Sequence, residues 1–435
     1  MLAEFVNGFN GNVLVAKGNE IIYQKSFGNR ILDSALLLDN NSVFELASIS
    51  KQFTAMGILL LEKKGQLKIT DTLRKFFPEL PYNNITIYNL LTHTSGLPDY
   101  LSEMKNKWDH HQIAFNKDVI AFLAKEKPQQ YFSPGQKFDY SNTGYVLLAS
   151  IIEKVSGESY NDYMYKHIFK PLHMHFTRVY NSRRSVKSTV PNYAYGYIYA
   201  ADTHEYVLPD SVKEDDFVYY LDGITGDGAV NSTTGDLLLW EDAILHNKLL
   251  DKPAQQSMLS YHSVMDTATH SYYGYGVELG KNEFGNYIAH DGSWPGYSTS
   301  MVHYKENGYT VIVLSNNQSY AVDISEAIIY LLNGKPIISP YRHKEIALDK
   351  NIIDNYTGKY LVPQPIELVN RRNKLYRHLP GNPNENDVEL KPESPTKFFY
   401  TNNRDVQLEF EVDNAGKVKK AYSIVCGIKK EIKKS

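Results

Sequence analysis

The 435 residues exceed what one ordinary hydrophobic core organises, so one large domain plus a smaller one is the default expectation. Hydrophobic residues at 42% and charged residues at 22% describe a globular chain, and a formal net charge of −3 gives no electrostatic reason to expect nucleic acid or an anionic membrane as partner. A single cysteine, Cys426, excludes an intrachain disulfide and any cysteine-ligated metal cluster, and no run of about 18 apolar residues is present to cross a membrane as a helix.

Met1 to Phe5 lead almost at once into a strand-like run, without a basic segment followed by an apolar one. No signal peptide is read, so the expectation is either an intracellular protein or one whose export signal has been removed. Residues 12–17 and 20–27 are β-rich and separated by Gly18-Asn19, a hairpin signal. Residues 43–62 are apolar nearly all round when read as a helix, which marks a buried helix, and Gly65 is its stop. Shorter helices are predicted over 86–92, 117–127, 143–155 and 160–169, then over 235–249, with a long tyrosine-rich loop around 190–222. The strand pattern returns at 273–279, 286–290, 299–304 and 309–314, and 321–332 reads as a closing helix.

Strands at both ends with helices between imply one sheet built from about 1–70 and 270–335, with a helical subdomain at about 75–265. Residues 336–350 read as a linker with prolines and no periodicity. Beyond it, runs at 356–361, 366–370, 398–401, 406–412 and 418–426 suggest a small all-β, barrel-like domain over 351–435. Lys429, Lys430, Lys433 and Lys434 read as a solvated tail. The fold class expected is α+β.

Ser48 and Lys51 stand three apart where the buried helix begins, close enough on one face for hydroxyl and amine to meet. Ser-x-x-Lys also occurs at Ser102 and Ser394, where the surroundings give no buried helix. A serine hydroxyl becomes a useful nucleophile only with a base in reach, a route for the proton and donors for the developing oxyanion. Lys51 can be that base if burial and the helix N-terminus lower its pKa by about 3 units.

Ser48-Ile-Ser-Lys51, Tyr140-Ser-Asn142 and His290-Asp-Gly292 resemble the three motifs of the serine β-lactamase and penicillin-binding-protein superfamily. One branch of it carries Ser-x-x-Lys, Ser-Asp-Asn and Lys-Thr-Gly. Tyrosine in the second motif is similar instead to the branch of class C β-lactamases, D,D-carboxypeptidases, D-aminopeptidases and esterases. The segments 90–98, 134–145, 171–174 and 226–237 resemble that branch too, so the likeness covers about residues 12–332.

The resemblance implies a β-lactamase-like catalytic domain over 1–335, followed by a lipocalin-like barrel. It implies Ser48 as acylated nucleophile, Lys51 as base and Tyr140 as proton shuttle. Asn142 would donate a hydrogen bond to substrate or to Lys51, and the N–H groups of Ser48 and Ser293 would form the oxyanion hole beside Gly292. Neither cofactor nor metal is implied. The substrate would be a small molecule or peptide, the location periplasmic or extracellular, and self-association through the C-terminal domain is a further expectation. The implied activity is hydrolysis of a peptide, amide or ester, with a D-amino-acid-specific peptidase or aminopeptidase foremost. A carboxylesterase, a β-lactamase or a penicillin-binding sensor without turnover are the alternatives.

Family β-lactamases place Lys where this chain has His290, which resembles the peptidase members and disfavours carboxylate-bearing substrates once neutral. On that basis His290 is expected to read substrate charge by titrating near pH 6.5. Asp109-His110-His111 and His173-Met-His175 lack a third ligand for a metal. Gly226-Asp-Gly228 and Gly274-Tyr-Gly276 lack the strand-turn-helix setting of a nucleotide site. His93 reads as a structural hydrogen-bonding residue.

Overall fold

A computed structural model describes residues 8–32, 34–182, 190–200, 203, 205–339, 341–349, 352–362, 364–379, 381, 387–401 and 405–434. Met1 to Phe5 lie outside the described residues. Contacts divide the chain into two compact units, Asn10–Ser325 and a second that contains Glu326–Ser435.

The first unit is organised on an eight-stranded sheet. Its strands are β1 (Gly11–Lys17), β2 (Glu20–Phe27), β3 (Ser263–Asp266), β4 (Ser271–Tyr273), β5 (Glu278–Asn282), β6 (Gly285–Trp294), β7 (Tyr297–Tyr304) and β8 (Tyr309–Ser315). They lie in the order β2-β1-β8-β7-β6-β5-β4-β3, so both ends of the unit's chain meet where β1 pairs β8, Val13 opposite Val313. β1 and β8 are almost wholly buried and rich in Val, Leu and Ile, the pattern of a strand covered on both faces.

The expected strand over 273–279 is two strands. Gly274, Tyr275 and Gly276 form a turn between them, with Gly276 at φ +75°, so the chain reverses instead of continuing. β3 had no sequence signal strong enough to separate it from a loop.

Helix α1 (Ser50–Lys63) threads the core, with every residue from Ser50 to Leu61 buried. Helix α2 (Asn142–Ser156) is buried from Thr143 to Ile152 and stops at Gly157, φ +73°. The predicted helix over 160–169 is α-helical for Tyr160–Met164 and widens into a π-turn over Tyr165–Phe169, and the one over 235–249 occupies Thr234–Leu245. Within the supposed loop of 190–222, Ile198–Ala200 and Glu205–Val207 pair as a hairpin and Phe217–Tyr220 forms a helical turn.

In the second unit eight antiparallel strands close into a barrel: β9 (Gly358–Val362), β10 (Gln364–Arg371), β11 (Lys374–His378), β12 (Val388–Ser394), β13 (Lys397–Tyr400), β14 (Val406–Val412), β15 (Val418–Val425) and β16 (Ile428–Lys434). The lysine tail is a correction to the sequence reading. Ile428 and Ile432 are buried while the lysines are exposed, and Tyr360 opposite Lys434 closes the barrel. A core of Tyr356, Tyr360, Phe398, Leu408 and Phe410 fills it. The segment expected as a linker is held to this barrel, with Ile338 N–H donating to the Gly427 carbonyl at 2.8 Å and His343 Nδ1 2.6 Å from Glu393.

Candidate active site

Ser48 does not sit in the α-helix itself. The short strand Phe44–Glu45 runs into a single 3-10 turn, Ala47–Ile49, and α1 starts only at Ser50. Ala47 takes φ +49°, an uncommon conformation for a residue with a Cβ, and turns Ser48 out beside the first turn of α1. Lys51 is in that turn and is fully buried. Its Nζ lies 3.1 Å from Ser48 Oγ, 2.8 Å from Asn142 Oδ1 and 2.8 Å from the Asp227 carbonyl oxygen. Burial pushes Lys51 down to about 8, against the opposing pull of Asp227, Asp291 and Asp99.

The second motif sits where a loop becomes α2. Ser141 caps that helix, its hydroxyl accepting from Gly144 N–H at 3.2 Å, so Asn142 is the first helical residue and its side chain reaches Lys51. Asn142 therefore accepts from Lys51 through Oδ1, which corrects the expectation that it could donate to it and leaves its NH₂ as a donor for another group. The Tyr140 hydroxyl lies beside Ser48, and Lys51 Nζ lies 4.9 Å from the centroid of the Tyr140 ring. Burial of the hydroxyl raises Tyr140 well above the ordinary tyrosine range, more than the neighbouring Ser48 lowers it, although 38% of the residue is exposed. It rests as a protonated phenol.

The third motif lies on β6. An added Cβ at Gly292 would come 2.2 Å from the Leu46 carbonyl oxygen, 2.4 Å from Thr299 Oγ1 and 3.1 Å from Ser48 N, so only glycine lets this strand approach the nucleophile's backbone. β5 pairs with β6 only as far as Ala289, leaving the edge from His290 to Trp294 beyond that pairing.

His290 differs from expectation. It is 2% exposed, Nε2 lies 2.9 Å from the Tyr273 hydroxyl, and Nδ1 lies 2.6 Å from the Asp291 carbonyl oxygen. Burial drives it down to about 4, outweighing the pull of Asp291, so the imidazole is neutral where a charge reader would titrate. Asp291 itself is exposed, and burial together with the neighbouring Asp291 raises Glu278 to about 8. Ligand atoms of Glu278, His290 and Asp291 lie within 4.8 Å of one another. Both ring nitrogens of His290 are already engaged, by Tyr273 and by the Asp291 carbonyl.

A cavity of about 110 Å³ opens beside Ser48, Asn142 and Ser293. Glu45, Asp222 and Asp227 line it, together with apolar residues including Leu221, Ile224 and Trp294. His290 and Tyr140 are not among its walls. Sequence reasoning missed Asp227, whose carbonyl holds Lys51 and whose carboxylate accepts from the Tyr100 hydroxyl at 2.9 Å. Its signal was present in the glycines on either side, since a Cβ at Gly226, φ +104°, would meet the Tyr145 carbonyl at 2.5 Å.

The remaining candidates lie apart from this centre. Ser102 bonds the helix-capping Asp99 at 2.9 Å, and Ser394 ends β12. His110 binds Asp216 at 2.7 Å and stacks on Tyr220, while the rings of His173 and His175 are 6.0 Å apart. Among the described residues no helix is long and apolar enough to cross a membrane.

The beta-lactamase family model matches residues 4–333. Penicillin-binding protein 4* of Bacillus subtilis strain 168 is 42% identical over 400 residues, covering 90% of this chain and 88% of that one. The octameric penicillin-binding protein homologue from Pyrococcus abyssi superposes with a TM-score of 0.67 at 25% identity, over 99% of this chain and 96% of that one. The D-amino acid amidase from Ochrobactrum anthropi SV3 shares the fold, at a TM-score of 0.63 and 23% identity over 77% of this chain and 97% of that one. With a family match across the whole nucleophile-bearing region and a close relative along nearly its full length, this chain belongs to the beta-lactamase family and is a serine hydrolase of the β-lactamase and penicillin-binding-protein fold.

Proposed function

We propose that the protein hydrolyses amides or peptides of D-amino acids that carry a free amino group, through an acyl-enzyme on Ser48. The observation that carries this reading is the acidic cavity beside Ser48, where Glu45, Asp222 and Asp227 favour a cationic group and Leu221, Ile224 and Trp294 favour an apolar side chain. The preference for D-configuration follows the resemblance of the third motif to the peptidase members.

In this mechanism neutral Lys51 takes the Ser48 proton while Oγ bonds to the substrate carbonyl carbon. Asn142 and the Asp227 carbonyl hold the lysine during the transfer. The N–H groups of Ser48 and Ser293 receive the oxyanion, and the Tyr140 hydroxyl relays the proton to the leaving nitrogen as the C–N bond breaks. Water then attacks the ester by the reverse route, returning the proton to Ser48.

The test is a panel of D-aminoacyl anilides, their L-isomers and their N-acetylated forms, with fluorophosphonate labelling as the activity control. The expected result is a preference of at least about 10-fold for the free amine, lost in Asp222→Asn, as for a charge pair in a partly buried site. Equal or faster turnover of the N-acetylated forms would remove the aminopeptidase reading. Likeness to a penicillin-binding protein supports a second property, acylation of Ser48 by penicillin, and retention of fluorescent penicillin against its release separates binding from hydrolysis. Self-association through 351–435 completes the proposal, and light scattering before and after truncation at Gly334 reads it.

A further inference from the structure

His93 lies beneath the Tyr140 ring, and its geometry is that of a built support. The two ring centroids are 4.2 Å apart, with the planes inclined by 31°. The His93 Nδ1 accepts the backbone N–H of Ser141 at 3.0 Å, and the His93 carbonyl accepts from Asp139 N–H at 2.8 Å, so the backbone on both sides of Tyr140 is tied to this one residue. Because Nδ1 holds its lone pair toward an N–H, the ring proton must sit on Nε2. That Nε2 is buried without a hydrogen-bond partner, and the residue adopts φ +55°. An unsatisfied buried donor and a left-handed backbone at the same position persist only where the surrounding structure requires them.

We propose that His93 is the positioning residue of Tyr140: as a neutral imidazole it fixes the height and tilt of the phenol so that its hydroxyl stays on Ser48. The proposal rests on the role given above to Tyr140. Protonation of His93 would turn Nδ1–H against Ser141 N–H and lift the loop that carries Tyr140. The groups that face the imidazole all hold it uncharged. Lys51 adds repulsion to the effect of burial, His290 is itself a neutral imidazole, and the rings of Tyr145 and Tyr273, 5.1 and 4.5 Å away, are neutral phenols. No smaller residue keeps both contacts. Asparagine tolerates the left-handed backbone and can accept from Ser141 but supplies no ring, whereas phenylalanine supplies the ring and no acceptor.

The experiment is a double-mutant cycle in the full chain. His93→Asn and His93→Phe are each combined with Tyr140→Phe, and kcat and KM are measured for one small ester. Each single change at position 93 is expected to lower kcat by about 10- to 100-fold with KM within about 2-fold, the scale of a misplaced catalytic group. In the Tyr140→Phe background the same change should cost under about 3-fold, because the group being positioned is already gone. Equal losses in both backgrounds would overturn the proposal, since a merely structural residue acts whether or not the hydroxyl is present. If Tyr140→Phe alone has no effect, the role of Tyr140 fails instead. Should the variants not fold, ¹⁵N-histidine NMR of the parent decides: a neutral Nε2–H tautomer from pH 5.5 to 8 is expected, and a charged ring or an Nδ1–H tautomer at pH 6 would overturn it.

Discussion

On one flank of Ser48, Lys51, Asn142 and the Asp227 carbonyl are joined by contacts of 2.8 Å and aimed at the nucleophile. On the other flank, His290 bonds Tyr273 and the Asp291 carbonyl, Glu278 lies beside Asp291, and only the backbone of Gly292 approaches Ser48. Both flanks are polar and hold buried groups with shifted pKa values, Lys51 on the first and His290 and Glu278 on the second. The first arrangement leaves a proton acceptor poised near neutrality, while the second holds His290 neutral and aims no side chain at Ser48, so the proposed chemistry lies on the first and the second gives the site its shape. A shifted pKa marks a functional group only when the geometry shows what the proton can move to.

Removing the first flank should cost most. Ser48→Ala is expected to abolish covalent labelling, and Lys51→Ala to lower the acylation rate by at least about 100-fold, the scale of a lost general base. Mass spectrometry of the labelled protein and stopped-flow acylation measure the two. A label on Ser102 or Ser394 would dissolve the contrast between the flanks.

The backbone of the second flank comes next. Gly292→Ala forces β6 away from Leu46 and Ser48, and a shift of about 1 Å at the oxyanion position should lower acylation by about 100-fold. The circular dichroism spectrum should stay that of the parent. Normal acylation would show that the close approach does not matter.

Much of this arrangement could be read in the sequence, and what escaped did so for physical reasons. Ser48, Lys51, Tyr140 and Asn142 were legible because helix spacing and the order of motifs place them, and α1 was legible because it is apolar on every side. Asp227 was not, because its contribution to Lys51 is a backbone carbonyl that any residue type could provide. The neutrality of His290 was not, because imidazole chemistry is visible in a residue name and burial by Tyr273 is not. The barrel strands Lys374–His378 and Val388–Ser394 escaped as charged, interrupted runs, and β16 because its four lysines outweigh the two buried residues Ile428 and Ile432.

The pH dependence of turnover sharpens the comparison further. In the proposed mechanism the base must be neutral, and burial holds Lys51 down to about 8, so activity should rise as pH increases toward 8 and level off above it. Below that point kcat/KM should fall about tenfold per pH unit, since the neutral fraction of a single group does so. An ascending limb centred near 6.5 would mean that a histidine, not Lys51, governs the proton transfer.

The smallest effect is expected at His290, and it separates the flanks most sharply. A histidine that titrated at its ordinary value would lose charge between about pH 5.5 and 7.5 and take with it any preference for a carboxylate-bearing substrate. Held down to about 4 by burial, His290 is already neutral across that interval, so kcat/KM for an anionic and a neutral substrate should follow the same pH curve there. His290→Gln, which can still bond to Tyr273, should change either rate by less than about 5-fold, the cost of one neutral hydrogen bond of about 0.5–1 kcal/mol. In His290→Lys the new ammonium would meet Glu278 and Asp291 before it met substrate, so the added charge should be neutralised within the protein and bring no gain on β-lactams. Parallel pH profiles for the two substrates in the parent are the expected result. A carboxylate preference that fades between pH 5.5 and 7.5 in the parent and persists in His290→Lys would return His290 to the role of charge reader and make the second flank chemical after all.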